Sequence, residues 1–511
     1  MSAYLLGVDI GTQGTKTCLY ASDGHAAASA FEPSRLIEPA PGAVEQEPDE
    51  LYGSVVRTIR EVLEKSGVRP SDVAALGMDG QMAGILGVDG DFNAVTPYDS
   101  WLDIRCEAEI DEMRAAAGDR IIALTGAPVS YNHGPKVLRW KKRFPEAYAR
   151  IAKFVLPVTY VAGRMCGLKA DDAWIDYTCL HFSGFGDVEH LKWSEELLER
   201  FGVDGRKMPA IAEPWKLVGR ITADAARECG LCEGTPVCAG AGDQAATSLG
   251  AGITRPGLAF DVAGTASVFS RCTDVYAPDV ENRTILCARS VLPGLWIPLA
   301  YIGGGGLCVR WIRDTLAGTD ASVTYDRLAE EAESLPPGSE RLLFVPHFSG
   351  RVCPNDALVR GSFAGLTTRH GRAHLYRAVL ESIGYEYALY DRILRRSIGS
   401  EEPAVQSDQV RRPRRSLYGA EHCRHWRMGR GHHRRPLRGA LSRYGQNRGA
   451  HGAEDAALHA RPGTPRRIRA LCGALSRAAD LAVCSVSKTL KSLSTVPSAR
   501  NGEARPFAPS F

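Results

Sequence analysis

Apolar and polar positions alternate with period two over residues 4–9 and again over 16–21, with the polar turn GTQGT between them. Ser22-Asp23-Gly24 turns the chain once more, so the opening is predicted as successive strands. The spacing then becomes helical. Leu51, Val55, Val56, Ile59, Val62 and Leu63 share one face, which predicts a helix over 48–65 stopped by Gly67. Short apolar runs follow at 73–78 and 83–88, the second closing on Gly-Val-Asp-Gly-Asp. Antiparallel strands feeding helices predict an α/β domain with a mixed sheet.

Helical spacing returns at 135–140, 193–201 and 224–228, and a strand over 236–241 leads into GDQAATSLGAG. Residues 253–257, with Arg255 and Pro256, are expected to form a hinge. Beyond it the opening pattern recurs as a strand over 258–262, the turn AGT and a strand over 266–270. This echo predicts two related halves. The last periodic helix spans 375–394, with Leu375, Ala378, Val379, Ser382, Ile383, Tyr387 and Ile393 near one stripe. The domain expectation is 1–252, then 257–400, then a tail over 405–511. From 410 to 477 arginine dominates, lysine is absent and neither period survives. Such a segment lacks the apolar surface to offset its ordering entropy, so the tail is expected to be disordered or aberrant.

Composition changes this picture little. The chain has 511 residues, 44% hydrophobic and 24% charged, with a formal net charge of +3, which demands no nucleic-acid or membrane partner. The start MSAYLLGVDIG has no basic n-region and no small-residue cleavage site, so it does not read as a secretion signal. The most apolar stretch, 294–312, is broken by Pro298, by Gly303 to Gly306 and by Arg310, and reads as a pair of buried segments. The fourteen cysteines are scattered, which suits free thiols in a reducing compartment, and the expected location is the cytoplasm. Cys229 and Cys232 spell Cys-Gly-Leu-Cys, but no second pair stands at ligand spacing, so they read as a helix end.

Three segments carry candidate chemistry. DIGTQGTK sets Asp9 at a strand end before a turn whose backbone N–H groups, with the hydroxyls of Thr12 and Thr15, can cradle phosphate oxygens. Gly11 and Lys16 complete that phosphate set, and Asp9 is placed to hold Mg2+ through water. The spacing is not that of the GxxxxGK[ST] loop, and a plain hairpin with a polar turn has the same text. Gly264 and Thr265 form a second such turn, open to the same two readings. In AGAGDQAATSLGAG, Asp243 follows small residues that let backbone approach a ligand. An aspartate there also serves as a helix N-cap, and the two roles coexist. Phosphoryl transfer to an alcohol needs such a carboxylate beside the attacking hydroxyl.

Together these segments resemble the FGGY family of carbohydrate kinases over about 4–395. The resemblance implies two actin-like, ribonuclease-H-like domains with a cleft between them. It makes DIGT and AGT the two phosphate hairpins and Asp243 the catalytic base. MDGQMAG is similar to the xylulokinase branch, where this turn touches the sugar, which implicates Met78, Gln81 and Met82. SWLDIR is similar to that branch's Trp-x-Asp-x-Arg, adding Trp101, Asp103 and Arg105. GSFAGLTTRHGRAHLYRAVLE follows the family's C-domain pattern, and FVPHFSGRVCP resembles a neighbouring loop, with Arg351 where glutamate is common.

The implied activity is ATP- and Mg2+-dependent phosphorylation of a pentulose such as D-xylulose, by a protein with a small-molecule partner, no specific nucleic acid, no membrane and an expected homodimeric state. The family's Gly-Gly-Gly-Ala loop for adenine and ribose is missing after the long helix, which leaves the C-terminal domain incomplete. A shift of reading frame near Gln406 accounts for the arginine-rich text. The competing reading is a remnant that binds sugar without holding ATP. A third is a basic nucleic-acid binder acting through the 410–511 tail. Zinc binding through His422, Cys423, His425, His432 and His433 fits no standard spacing.

Overall fold

The computed structural model describes residues 4–399 apart from 264, 265, 321 and 357. The expectations for the 405–511 tail, its histidines included, therefore lie outside the described residues.

The N-terminal lobe is built on a mixed seven-stranded sheet. Its strands are β1 (Tyr4–Ile10), β2 (Gly14–Ala21), β3 (Ala26–Pro33), β4 (Val73–Gly80), β5 (Leu217–Arg220), β6 (Pro236–Cys238) and β7 (Ala241–Gly242), in the order β5-β6-β4-β1-β2-β3, with β7 also paired to β4. β1 runs antiparallel to β2 and parallel to β4. Alternation decides the faces. Leu6, Val8 and Ile10 of β1 enter the core with Leu51, Val55, Ile59 and Val62 of α1 (Pro48–Ser66). Gly67 ends α1 at φ 63°, as its sequence position predicts.

A second layer of this lobe holds α2 (Glu107–Thr125), α3 (His133–Arg143) and α4 (Pro157–Cys166). The predicted 135–140 helix is the centre of α3. The predicted 193–201 helix is shorter, Glu195–Arg200, because Ser194 caps it through Leu197 N. α2 and α4 escape periodic reading. α2 has buried residues at both ends but is kinked at Ala117, and α4 is buried on nearly every side. Residues 224–228 lie in α5 (Ala223–Cys229), ended by Gly230 with Cys232 exposed.

The strand expected over 236–241 breaks in two. Gly240 sits at φ 84°, and a Cβ there would strike the Met78 carbonyl. After the break β7 rejoins β4, and α6 (Asp243–Gly250) begins at once.

The C-terminal lobe repeats the hairpin theme. An antiparallel sheet runs β8 (Ala259–Ala263), β9 (Ser267–Arg271), β11 (Trp296–Ile302), β10 (Leu286–Arg289) in that spatial order. It packs with α7 (Gly305–Ala317), α8 (Tyr325–Glu333), the strand pair β12 (Leu343–Val345) and β13 (Ser362–Ala364), and α9 (Arg372–Ser397). The apolar stretch 294–312 is β11 plus α7. Arg351, on the loop after β12, reaches Glu386 of α9 at 2.7 Å.

The lobes meet along one seam. Cys287 N donates to Gly126 O at 2.7 Å, Tyr177 Oη to Val291 O at 2.6 Å, and Arg289 Nε to Val188 O at 2.7 Å. No helix among the described residues is long and apolar enough to cross a membrane.

Candidate active site

Because Val8 and Ile10 point into the α1 core, Asp9 points to the other face of the sheet. Register then assembles a cluster there: Asp9 lies opposite Lys16 on β2 and opposite Asp79 on β4. The next strand over supplies the third carboxylate. Ala241 pairs with Asp79 and Gly242 with Gly80, so Asp243 opens α6 beside them. The small residues of AGAGD are needed for this approach, since a Cβ on Gly242 would strike the Met82 side chain. Gly242 N is held by Thr178 Oγ1 at 2.9 Å, and that hydroxyl donates to buried Asp176.

Burial is the main force on these carboxyls. It pushes Asp243 up to about 7, with the Asp9 charge adding to the effect and a hydrogen bond from Gln244 N opposing it. Burial likewise raises Asp79, helped by the charges of Asp9 and Asp243. Asp9 is also raised by burial, while its hydrogen bond from Asp79 and the nearby Lys16 ammonium pull it back. Asp243 is the first residue of α6 and not its cap, which is Gly242. A group poised near neutrality in a half-buried position suits a general base.

The turn from Gly11 to Gly14 closes through Gly11 N donating to Gly14 O at 3.1 Å. The amides of Thr12 and Gln13 have no acceptor among the described residues, so the tip can receive anionic oxygens. The hydroxyls behave otherwise. Thr15 is fully buried, and its Oγ1 pairs with Ser54 Oγ of α1 at 2.7 Å. Thr12 Oγ1 accepts from Trp101 Nε1 at 2.7 Å and donates to Gln81 Oε1 at 3.3 Å. Alternation turns the Thr15 hydroxyl toward α1, away from the tip where it was expected, whereas the Thr12 hydroxyl stays on the turn, bonded to Trp101 and Gln81.

The predicted sugar residues divide in the same manner. Trp101 is 43% exposed and leans on the turn. Gln81 and Met82 are buried beside it, and His133 Nε2 donates to the Met82 carbonyl at 2.6 Å. Met78 shares the register of Val8 and lies in the α1 core, on the face away from Asp9. Asp103 and Arg105 are spent on each other: Arg105 bridges Asp103, Glu45 and Asp99, whose three carboxylates converge on its guanidinium. A guanidinium fills that set, so it is an ion-pair network that fixes the 99–105 loop. Lys136 supports it from below, donating to the carbonyls of Ser100 and Asp103, each at 2.9 Å.

Gly264 and Thr265 lie outside the described residues. Their flanking strands pair as a hairpin, Ala263 opposite Ser267. Sequence reading missed Gly303 to Gly306 as a site feature. This run leads into α7, and a Cβ on Gly305 would strike the Ser267 side chain, which places a bare helix N-terminus against the second hairpin. A glycine run immediately before a helical stripe was the available signal. Asp79 was also passed over, because its partner Asp9 is remote in sequence.

The N-terminal domain model of the FGGY family of carbohydrate kinases matches residues 4–250, and the C-terminal domain model matches 261–408. The xylulose kinase of Bacillus subtilis (strain 168) is 26% identical over 384 residues, 75% of either chain. The gluconokinase of the same organism is 25% identical over 395 residues, again 75% of either chain. The crystal structure of xylulose kinase from Rhodospirillum rubrum superposes with a TM-score of 0.72 at 25% identity, covering 78% of this chain and 80% of that one. Plasmodium falciparum glycerol kinase with ADP, at 20% identity, 78% and 80% coverage and a TM-score of 0.70, shares the fold. Two lobes, each with its own hairpin, are the actin-like architecture of these kinases. The chain belongs to the FGGY family of carbohydrate kinases.

Proposed function

We propose that this protein transfers the γ-phosphoryl group of ATP to a primary hydroxyl of a ketose or polyol, with D-xylulose the foremost substrate. The observation that carries the reading is Asp243, half-buried at the start of α6 on the sheet face that bears Asp9 and Lys16. In this reading the sugar hydroxyl attacks the γ-phosphorus, its proton passes to Asp243, and the bond to the bridging oxygen breaks to release ADP. Trp101, Gln81 and Met82 would line the sugar, and the free amides of Thr12 and Gln13 with Lys16 would hold phosphate oxygens. Gly264, Thr265 and the N-terminus of α7 would complete the clamp from the other lobe. The donor set at Asp9 fits a hard cation. Asp9, Asp79 and Asp243 face a single lysine, so Asp9 would hold Mg2+ through water, where the ion neutralises charge on the transferred group.

The xylulose kinase relatives favour a pentulose, and the gluconokinase among them is the reason to assay a sugar panel. The test is sugar-dependent ADP release over pentuloses, hexuloses, tetritols and gluconate. D-xylulose should give the highest kcat/KM. A second reading has its own observation: no Gly-Gly-Gly-Ala loop follows the long helix, and the family match ends at residue 408. There the protein binds sugar without releasing ADP. Calorimetric sugar binding with no turnover, regained when the reading frame after Gln406 is repaired, selects that reading.

A further inference from the structure

The hydroxyl of Thr12 stands in the middle of a chain of four side chains. Trp101 Nε1 donates to Thr12 Oγ1 at 2.7 Å, Thr12 Oγ1 donates to Gln81 Oε1 at 3.3 Å, and Gln81 Nε2 donates to Gln46 Oε1 at 2.7 Å. The two amides are buried, Gln46 at 2% and Gln81 at 3% exposure, whereas Trp101 at the far end is 43% exposed.

The polarity of this chain is anchored at the indole, and Gln46 supplies the acceptor at its buried end. An indole N–H only donates, and a hydroxyl has one proton. With its amino group spent on Gln46, Gln81 must turn its oxygen to Thr12. Thr12 then gives its proton to Gln81 and keeps a lone pair for Trp101. Were Gln81 reversed, two donors would crowd the Thr12 oxygen and leave its proton without a fixed acceptor. Gln46 has a rigid base from which to impose this order, because its backbone pairs with Tyr98 and its neighbour Glu45 pairs with Asp99 and binds Arg105.

We infer that Gln46 is a positioning residue: by accepting from Gln81 Nε2 it keeps the Gln81 oxygen on Thr12 and so holds the Trp101 indole against the tip of the phosphate turn. No feature of the sequence singled this residue out. Its effect on sugar affinity rests on the proposed reading of the site, whereas its effect on the indole does not. Gln46 touches neither reacting group, so its loss should weaken sugar binding and leave the chemical step alone.

The test uses the full chain labelled with 15N-tryptophan, with the Trp101 indole resonance assigned by W101F. Trp215, also 43% exposed and with no hydrogen bond to its indole nitrogen among the described residues, is the internal reference. In the parent protein the Trp101 indole proton should exchange about tenfold more slowly than that of Trp215, the protection of about one hydrogen bond. Gln46→Met, which keeps the length of the side chain, should bring the two rates together. The same variant should raise the Kd for D-xylulose about tenfold while kcat stays within about twofold. In the W101F background Gln46→Met should change that Kd by less than about twofold, because a residue acting through Trp101 has nothing left to act on. An equal loss in both backgrounds, or a Trp101 proton exchanging as fast as that of Trp215 in the parent protein, overturns the inference. A parent protein that binds no D-xylulose removes the functional reading alone, and the indole exchange then decides the role of Gln46. If Gln46→Met does not fold, Gln46→Leu takes its place with the same expected exchange rates, and a Trp101 proton that stays as protected in it as in the parent overturns the inference.

Discussion

Asp79 lies directly beside Asp9 in the parallel pairing of β4 with β1, and the two carboxyls share a hydrogen bond. Two acids in that contact cannot both ionise cheaply, and burial adds to the cost. Asp79 is the one held furthest above its ordinary range, by burial first and then by the charges of Asp9 and Asp243. A raised acid stabilises the fold fully below its unfolded pKa and loses that contribution as pH rises through the folded value. Asp79→Asn, whose amide still donates to Asp9, should therefore be more stable than the parent at pH 7.5, with the difference closing toward pH 4. Urea midpoints at the two pH values check this, and an asparagine variant less stable at pH 7.5 would contradict it.

Asp243 gives the corresponding prediction for activity. On the proposed reading it is the base and must be ionised, and burial pushes its carboxyl up to about 7. The sugar-dependent kcat/KM should rise with pH and level off above about 7. Asp243→Asn should lower kcat by about 10²–10⁴-fold while gaining stability above neutrality, since it removes a carboxylate that is costly to ionise. Kinetics and thermal unfolding on one preparation separate that outcome from misfolding, in which both quantities fall.

Thr15 is predicted to matter for the fold and not for the nucleotide. Its hydroxyl is fully buried against Ser54, and the neighbouring Thr17–Thr58 pair repeats the arrangement at 2.7 Å. Thr15→Val leaves Ser54 one partner short and should cost about 1–2 kcal/mol of stability. Its affinity for ATP, measured by calorimetry, should match that of the parent. A loss of ATP affinity with unchanged stability would return Thr15 to the phosphate site.

Gly126 guards the seam between the lobes. It ends α2 at φ 78°, and a Cβ there would lie 2.6 Å from the Cys287 carbonyl, whose own amide donates to Gly126 O. Gly126→Ala combines backbone strain with a clash across the seam and should cost about 2 kcal/mol or more. The loss should appear as a lowered Tm. Gly90, which has open space around it, is the control position, where alanine should be nearly silent.

Local periods and short motifs were enough to read the hairpins, α1 with its glycine stop, the central part of α9 and the family signature. Period two also settled that Asp9 and Ile10 face opposite sides. It could not say which side carries chemistry, and so it left Thr15 and Met78 among the site residues when the fold turns both toward α1. Asp79, Gln46 and the Gly126–Cys287 contact became visible with the fold. Each depends on a partner in a distant segment, through parallel register, a buried amide or the meeting of two lobes, and no local pattern encodes such a pairing.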